Sequence, residues 1–116
     1  AVAELLVGVT RDAAHGFMLT LGAGGVLTEV LRDTVSLLLP VQASDVTQAL
    51  TQLNCTPLLS GYRGKPAADV PSITAAVMAV QSYVLANADT VSEVEINPLL
   101  CTPDRAVAVD ALIRKA

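Results

Sequence analysis

The stretch 91-VSEVEINPLLCTPDRAVAVDALI-113 contains two apolar segments rich in β-branched residues, separated by a short polar link. The link TPDR places a proline and an aspartate at the two central positions of a tight turn, where both residues are favoured. The pattern predicts an antiparallel hairpin with strands at 91–101 and 106–113. This hairpin fixes the end of the predicted sheet and carries most of its unusual polar residues.

Glu95 and Asn97 interrupt the first of these strands on one face, since residues two apart in a strand share a face. Pairing that runs back from the two-residue turn places Asn97 opposite Asp110. In the second strand, Ala106 and Ala108 are expected to share the face of Asp110 and to leave room above it. The three polar side chains offer two carboxylates and one amide oxygen, which suit a hard cation such as Mg²⁺.

A solvated sheet face is the competing explanation of the same residues. Val94, Ile96 and Leu100 are expected on the buried face, and polar side chains opposite them are ordinary in an antiparallel hairpin. A β-bulge would also change the register. Spacing alone therefore leaves both explanations open.

Composition limits the class of protein. The chain has 116 residues, of which 53% are hydrophobic and 3% aromatic, so a single domain spanning 1–116 with an aliphatic core is expected. Disorder is excluded by the same numbers. The net charge of -4, with seven Lys and Arg residues, lacks the basic footprint that nucleic-acid binding requires.

The cysteines and the apolar segments indicate a cytoplasmic protein. Cys55 and Cys101 have no neighbouring Cys or His at metal-ligand spacing, so free thiols in a reducing compartment are expected. The first ten residues lack a signal-peptide pattern. The uncharged span 70–88 contains Pro71, Gln81 and Asn87, which make it too polar for lipid, so no membrane partner is predicted.

The remaining segments predict an α+β fold, a largely antiparallel sheet with two helices packed on one face. Ser44 is the expected N-cap of the first helix and Asn54 its stop, and 57–71 is expected to be an ordered loop. The predicted strands before the hairpin are 4–10, 17–21 and 26–39, the last bent near Asp33, and the predicted helices are 45–53 and 72–86.

Four motifs occur in one order that is typical of a known family: LGAGGVLTEVLRD, LLSGYRGKPAAD, EINPLL and AVAVDA. Together they resemble the C-terminal half of the ATP-grasp region of NDP-forming acyl-CoA synthetases. These are the ADP-forming acetate-CoA ligase type, related to the β subunit of succinyl-CoA synthetase. The resemblance covers nearly the whole chain. It implies the second of two α+β subdomains that grip a nucleotide between them.

The resemblance also implies a set of site residues. Asn97 and Asp110 would bind the Mg²⁺ of Mg-ATP, with Glu95 beside them. Gly24 and Gly25 would let backbone amides approach phosphate, although a plain hairpin turn explains the glycines equally well. Arg63 would contact a phosphate or a partner domain, or else act as a structural clamp.

Several positions depart from the family pattern or match it without an assignable role. His15 stands where relatives carry an aromatic residue, and Leu38 stands where they carry an arginine, which indicates a weakened or altered phosphate site. The phosphohistidine of the family belongs to another domain, so His15 is expected to be a surface or packing residue. Glu29 and Asp33 match the family's pattern, and no chemical step is assigned to either.

The implied activity is that of a ligase that converts ATP, a carboxylic acid and CoA to acyl-CoA, ADP and phosphate. This half would supply metal and nucleotide ligands and no nucleophile. Its expected partners are the preceding ATP-grasp subdomain and the CoA-binding and phosphohistidine domain. The isolated chain is expected to be inactive, and a homodimer of it is possible. The alternative is a non-catalytic regulatory or assembly module that keeps the fold. The acid, and the choice between ATP and GTP, are not indicated.

Overall fold

A computed structural model describes residues 1–25 and 32–116. Within these residues, one antiparallel sheet of six strands packs against helices, so the predicted α+β fold is confirmed. The strand order is β3-β2-β1-β4-β5, and β6 also pairs with β4. The elements are β1 (Ala3–Asp12), β2 (Gly16–Ala23), β3 (Thr34–Leu38), α1 (Ala43–Leu50), α2 (Thr56–Ser60), α3 (Val70–Ala86), β4 (Val91–Cys101), β5 (Ala106–Ala108) and β6 (Ala111–Lys115).

The central strand β1 shows why the sheet has two different faces. Leu5, Val7 and Val9 are each only 1% exposed. Gly8, which lies between Val7 and Val9, and Thr10, which follows Val9, are not buried. Residues at alternate positions of a strand point to opposite faces. The buried face therefore packs against the helices, and the other face, which we call the open face, is not part of the core.

The long helix α3 supplies much of the cover for the buried face. Ile73, Val77 and Val84 recur at helical spacing and are fully buried in the core cluster. Each such side chain contributes about 1.5–3 kcal/mol when it is removed from water. The Asp69 carboxylate accepts the Ser72 N–H at 3.1 Å and caps the helix, which begins at Val70, two residues before the predicted start.

The shorter helix α1 begins and ends before its predicted bounds. Its N-cap is Gln42, and the prediction of Ser44 is wrong because the Asp45 carboxylate accepts the Gln42 N–H at 2.8 Å and closes the first turn from within. The helix ends at Leu50, ahead of the predicted stop at Asn54. Val46, Ala49 and Leu50 form its buried side, as the periodicity predicted.

Asp33 explains why the third strand is shorter than predicted. Its buried carboxylate accepts the Asn54 N–H at 2.7 Å and the Cys55 N–H at 2.8 Å, so the chain turns inward at this point. Arg32 has a φ of 50°, which is incompatible with extended backbone. The strand therefore begins at Thr34, and positions 26–31 of the predicted strand lie outside the described residues.

The segment predicted as a loop contains a short helix, α2. Pro57 stands in its first turn, where a missing N–H costs nothing, and Leu59 is buried beneath it. The loop prediction was therefore wrong for the start of the segment. The rest of it, up to α3, is irregular as expected.

Candidate functional site

The terminal hairpin has the predicted register. The Thr102 N–H donates to the Arg105 carbonyl at 2.9 Å across the two-residue turn. Leu99 pairs with Ala108, and further along the Asn97 N–H donates to the Asp110 carbonyl at 3.1 Å. The prediction that Asn97 lies opposite Asp110 is confirmed for the backbone.

A bulge in β4 changes which side chains face the core. Leu5 of β1 pairs with Leu99, but Val7 pairs with Ile96, so β4 contains one extra residue at Asn97 and Pro98. The Asn97–Pro98 peptide bond is cis. The alternation of buried and open positions is therefore out of phase on the two sides of the bulge.

This change of phase corrects two expectations about the hairpin. Leu99 and Cys101 are buried, whereas Leu100 is only half-buried and lies away from the core. Ala106 pairs with Cys101 and Ala108 with Leu99, so both alanines share the core side. The prediction that they leave room beside Asp110 was wrong. The predicted single strand is also split into β5 and β6 around Asp110.

Asn97 is held by the glycine cluster that precedes the undescribed segment. Its Oδ1 atom accepts the Gly25 N–H at 2.9 Å, which joins two motifs that lie 72 residues apart. The Gly24 N–H donates to the Glu4 carbonyl at 2.9 Å, so the cluster is also anchored to β1. These two bonds fix the Asn97 amide at the edge of the open face.

The close approach of backbone in this cluster requires glycine. A Cβ atom at Gly24 would lie 2.5 Å from the Leu5 carbonyl carbon and oxygen. Gly25 has a φ of 80°, and a Cβ there would lie 2.6 Å from the Glu4 Oε2 atom. Packing against backbone therefore explains Gly24, the positive φ explains Gly25, and their approach to phosphate stays a prediction.

A shallow pocket of about 330 Å³ lies at this junction, lined by Glu4, Gly25, Asn97 and Pro98. Asp110 is exposed and Glu95 and Asn97 are half-buried, so solvent and ligands can reach all three. Backbone pairing brings Asn97 and Asp110 together, and Glu95 lies two residues before Asn97 on the same strand. Joint binding of a cation by their side chains stays a prediction.

The donor set fits Mg²⁺ better than a transition metal. The described residues, 1–25 and 32–116, contain no group of three or more His, Cys, Asp or Glu side chains that could hold a metal ion. Mg²⁺ is usually held by one or two carboxylates together with substrate phosphates, and the Asn97 oxygen has a second lone pair beyond its bond to Gly25. Asn97 and Asp110 therefore suit a metal that arrives with its nucleotide.

The other predicted site residue, Arg63, lies in the loop between α2 and α3. It has a φ of 50°, and its guanidinium carbon lies 5.2 Å from the centre of the Tyr62 ring. Tyr62 in turn lines a cleft of about 400 Å³ together with Asp33, Asn54, Cys55, Pro57 and Leu58. The stacking fits the structural clamp that the sequence left open, and contact with a phosphate stays a prediction.

His15 is a surface residue, as expected. It lies in the turn between β1 and β2, where its Nδ1 atom is 3.2 Å from the Asp12 Oδ2 atom. The Ala14 N–H also donates to that carboxylate, and this bond, followed by the His15 contact, lowers the pKa of Asp12 below its usual value. The side chains of Asp12 and His15 therefore stabilise the turn between β1 and β2.

Neither cysteine is poised for nucleophilic chemistry. Burial, followed by the nearby Asp33 carboxylate, raises the pKa of the half-buried Cys55 thiol to about 11. Burial raises the pKa of Cys101 to about 12. Thiolates are the reactive species, so both side chains are inert at neutral pH.

Two sets of long-range contacts were not foreseen from the sequence. Asp33 is a buried clamp for the turn before α2, although the pattern match alone assigned it no role. Arg11 donates to the carbonyls of Ala88 and Val91 and lies over the Phe17 ring, which ties the end of β1 to the segment after α3. The partners in both cases are distant in sequence, so no local pattern marks them.

Comparison with known proteins identifies the fold family. A family model described as an ATP-grasp domain matches residues 1–114, and the chain belongs to this family. The resemblance found in the motifs is thereby confirmed. Among the helices of the described residues, none is long and apolar enough to cross a membrane.

The relatives are acyl-CoA synthetases or subunits of them. The chain is 31% identical over 112 residues to the β subunit of ADP-forming acetate–CoA ligase II of Pyrococcus furiosus, covering 95% of this chain and 48% of that subunit. It is 32% identical over 112 residues to a trans-feruloyl-CoA synthase of an unknown prokaryotic organism, covering 95% of this chain and 16% of that protein. The chain thus spans about half of the subunit and a sixth of the synthase.

A solved structure shares the fold closely. Dinucleotide-forming acetyl-coenzyme A synthetase 1 of Ca. Korarchaeum cryptofilum, in complex with coenzyme A and Mg-AMPPCP, matches with a TM-score of 0.92 and 28% identity. The match covers 98% of this chain and 53% of that one. That protein binds a magnesium nucleotide, and this chain corresponds to part of it.

Proposed function

We propose that this chain, residues 1–116, is the C-terminal subdomain of an ATP-grasp region in an ADP-forming acid–CoA ligase. The whole enzyme would convert a carboxylic acid, CoA and ATP to acyl-CoA, ADP and phosphate. The observation that carries the proposal is the junction of Asn97 with Gly25, beside Asp110, at the edge of a sheet face that the core leaves open. The acetate–CoA ligase relatives support the reaction class.

In this proposal Asn97 and Asp110 hold Mg²⁺, and Glu95 lies beside them as a further carboxylate. When bound, Mg²⁺ neutralises charge on the phosphates of ATP or ADP during phosphoryl transfer. The Gly25–Asn97 hydrogen bond fixes the amide oxygen before the ligand arrives, which reduces the cost of ordering it. Gly24 and Gly25 keep the backbone close to the phosphates, and Arg63 is a secondary candidate for a phosphate or domain contact.

The rest of the reaction belongs to other parts of the protein. The preceding ATP-grasp subdomain would cover the adenine, and a further domain would carry the CoA site and the phosphohistidine. The isolated chain should therefore bind Mg-ATP poorly and show no ligase activity. Free thiols at both cysteines support a cytoplasmic location for the enzyme.

Removal of Asp110 tests the proposal directly. In the full-length protein, Asp110→Ala and Asn97→Ala should each weaken Mg-ADP binding at least about tenfold, because each removes a metal ligand. Isothermal titration calorimetry measures the loss. Asp104→Asn is the matched control, since Asp104 is an exposed aspartate in the adjacent turn. Equal binding by Asp110→Ala and the control would refute the metal site.

Leu38 favours a second candidate, a non-catalytic regulatory or assembly module. This leucine is 49% exposed. The motif resemblance implies an arginine at its position, so a phosphate contact would be missing. In the sheet, Leu38 of β3 pairs with Met18 of β2. If the full-length protein binds Mg-ADP but forms no acyl-CoA, and Leu38→Arg does not restore turnover, the second candidate replaces the first.

The isolated chain should also self-associate as a homodimer. Leu38, Val107 and Leu112 are each at least 40% exposed, and pairing places Val107 beside Leu100 and Leu112 beside Glu95 on the open face. Apolar surface of this kind marks interfaces, and a two-fold axis lets the patch cover its own copy. Sedimentation velocity tests this expectation. Addition of the preceding subdomain should abolish the dimer, and a monomer at high concentration without that subdomain would contradict it.

A further inference from the structure

Gly8 lies in the middle of the central strand, where a glycine is unfavourable. It pairs with Thr20 of β2 on one side and with Glu95 of β4 on the other. Glycine in a strand interior loses more conformational entropy than other residues and packs no side chain. A glycine at this position therefore needs a reason.

Nothing in the described residues supplies that reason. Gly8 is not among the glycines with positive φ, and its pairing is continuous from Val7 to Val9, so no bulge falls on it. A Cβ atom at Gly8 would come no closer than 3.9 Å to the nearest described atom, the Val94 carbonyl oxygen. At Gly24, by contrast, the same atom would lie 2.5 Å from backbone. Packing among the described residues explains Gly24 and leaves Gly8 unexplained.

With no such contact among the described residues, the remaining cause of a strand glycine is close approach by a ligand or by a segment outside those residues. Gly8 belongs to the open face, because Val7 and Val9 on either side of it point into the core. Its direct neighbour is Glu95, and two residues further along β4 lies Asn97. Gly8 therefore leaves a gap in the open face beside Glu95, while Leu6, two residues away on the same face of β1, lies opposite the bulge at Asn97.

We infer that the Mg-nucleotide of the proposed function rests against the sheet at Gly8, and that the missing side chain lets it reach Asn97 and Asp110. The inference rests on that proposed function and adds a residue that sets how deeply the nucleotide lies. A Cβ atom, and still more an isopropyl group, raises the floor beside Glu95 and pushes the phosphates away from the metal ligands. Thr20, which pairs with Gly8 from β2, bounds the same floor on the other side.

The test uses Gly8→Ala and Gly8→Val in the full-length protein, with Mg-ADP as the probe. The backbone is compatible with both residues, so the melting temperature without nucleotide should stay the same or rise. Calorimetry should show Mg-ADP binding weakened at least about tenfold by Gly8→Val and less by Gly8→Ala. Thr10→Val, on the same face of β1 but nearer the turn, is the control and should bind normally.

Three results would overturn the inference, and they point to different causes. Unchanged Mg-ADP binding by Gly8→Val, with wild-type binding intact, would show that no nucleotide contacts Gly8 while leaving the proposed function standing. A lower melting temperature of Gly8→Val without nucleotide would show that packing, within the chain or against another domain, requires the glycine. No Mg-ADP binding by the wild-type protein would refute the proposed function and this inference together.

Discussion

The two faces of the sheet differ in what their residues do. On the helix-covered face, Leu5, Val7 and Val9 of β1 are buried almost completely and pack in one aliphatic cluster. On the open face, the same strand carries Glu4, Gly8 and Thr10, none of which is buried. Strand alternation thus lets one segment provide stability on one side and, in the proposed function, a ligand surface on the other. Substitutions on the two faces should therefore separate stability from binding.

The largest expected effect is on the covered face. Leu21→Ala in β2 should reduce the free energy of unfolding by about 2–5 kcal/mol, because it leaves a cavity in the core. Thr20→Ala, one residue away on the open face, should change it by about 0.5–1 kcal/mol or less. Urea denaturation of both variants measures the difference. Similar losses would mean that the open face is as structural as the covered one.

The next effect concerns the clamp that joins the sheet edge to α2. Asp33→Ala should reduce the free energy of unfolding by about 1–3 kcal/mol, because the N–H groups of Asn54 and Cys55 lose their shared acceptor. Asp33→Asn keeps one acceptor oxygen and should lose less. Chemical denaturation of the two variants gives the comparison, and an unaffected Asp33→Ala would leave the family's pattern at this position without a structural reason.

The smallest expected effect on stability concerns the hairpin turn at 102–105, which belongs to neither face of the sheet. Hydrogen bonding from Thr102, followed by the Arg105 charge, lowers the pKa of Asp104 below its usual value. A lowered folded-state pKa stabilises the protein above the unfolded pKa, and this stabilisation is lost as the pH falls through the folded value. Asp104→Asn should therefore show a slightly smaller drop in melting temperature between about pH 5 and pH 2. A drop identical to that of the wild type would show that the turn contributes nothing.

Patterns within one segment were predictable, and contacts between segments were not. The hairpin at 91–113 was placed from its own alternation and turn, and its register was correct through the Asn97–Asp110 pair. The bulge at Asn97 and Pro98 was missed, because it is defined by the partner strand β1 and not by β4 itself. Its consequence was that Ala106 and Ala108 were assigned to the wrong face.

The cap of α1 and the Asp33 clamp were also missed, for different reasons. Ser44 has the right chemistry for an N-cap, but Asp45 closes the turn from inside and moves the helix start to Ala43. Asp33 looked like a motif residue, and only the fold shows that its carboxylate meets two N–H groups more than 20 residues away. Several local arrangements were possible at the cap, and a contact between Gln42 and Asp45 selected one, whereas partners distant in the sequence selected the clamp.

The sequence by itself determined the class of fold, the hairpin register, the aliphatic core and the family, because periodicity, turn chemistry and motif order are local properties of the chain. Only the tertiary structure decided that Gly25 holds Asn97, that Gly24 is needed for packing against Leu5, and that Gly25 is needed for its positive φ. It also decided that Gly8 is not needed for such packing within the described residues. The physical reason is that the sequence shows only that a glycine lacks a side chain, whereas strands distant along the chain set the space around it.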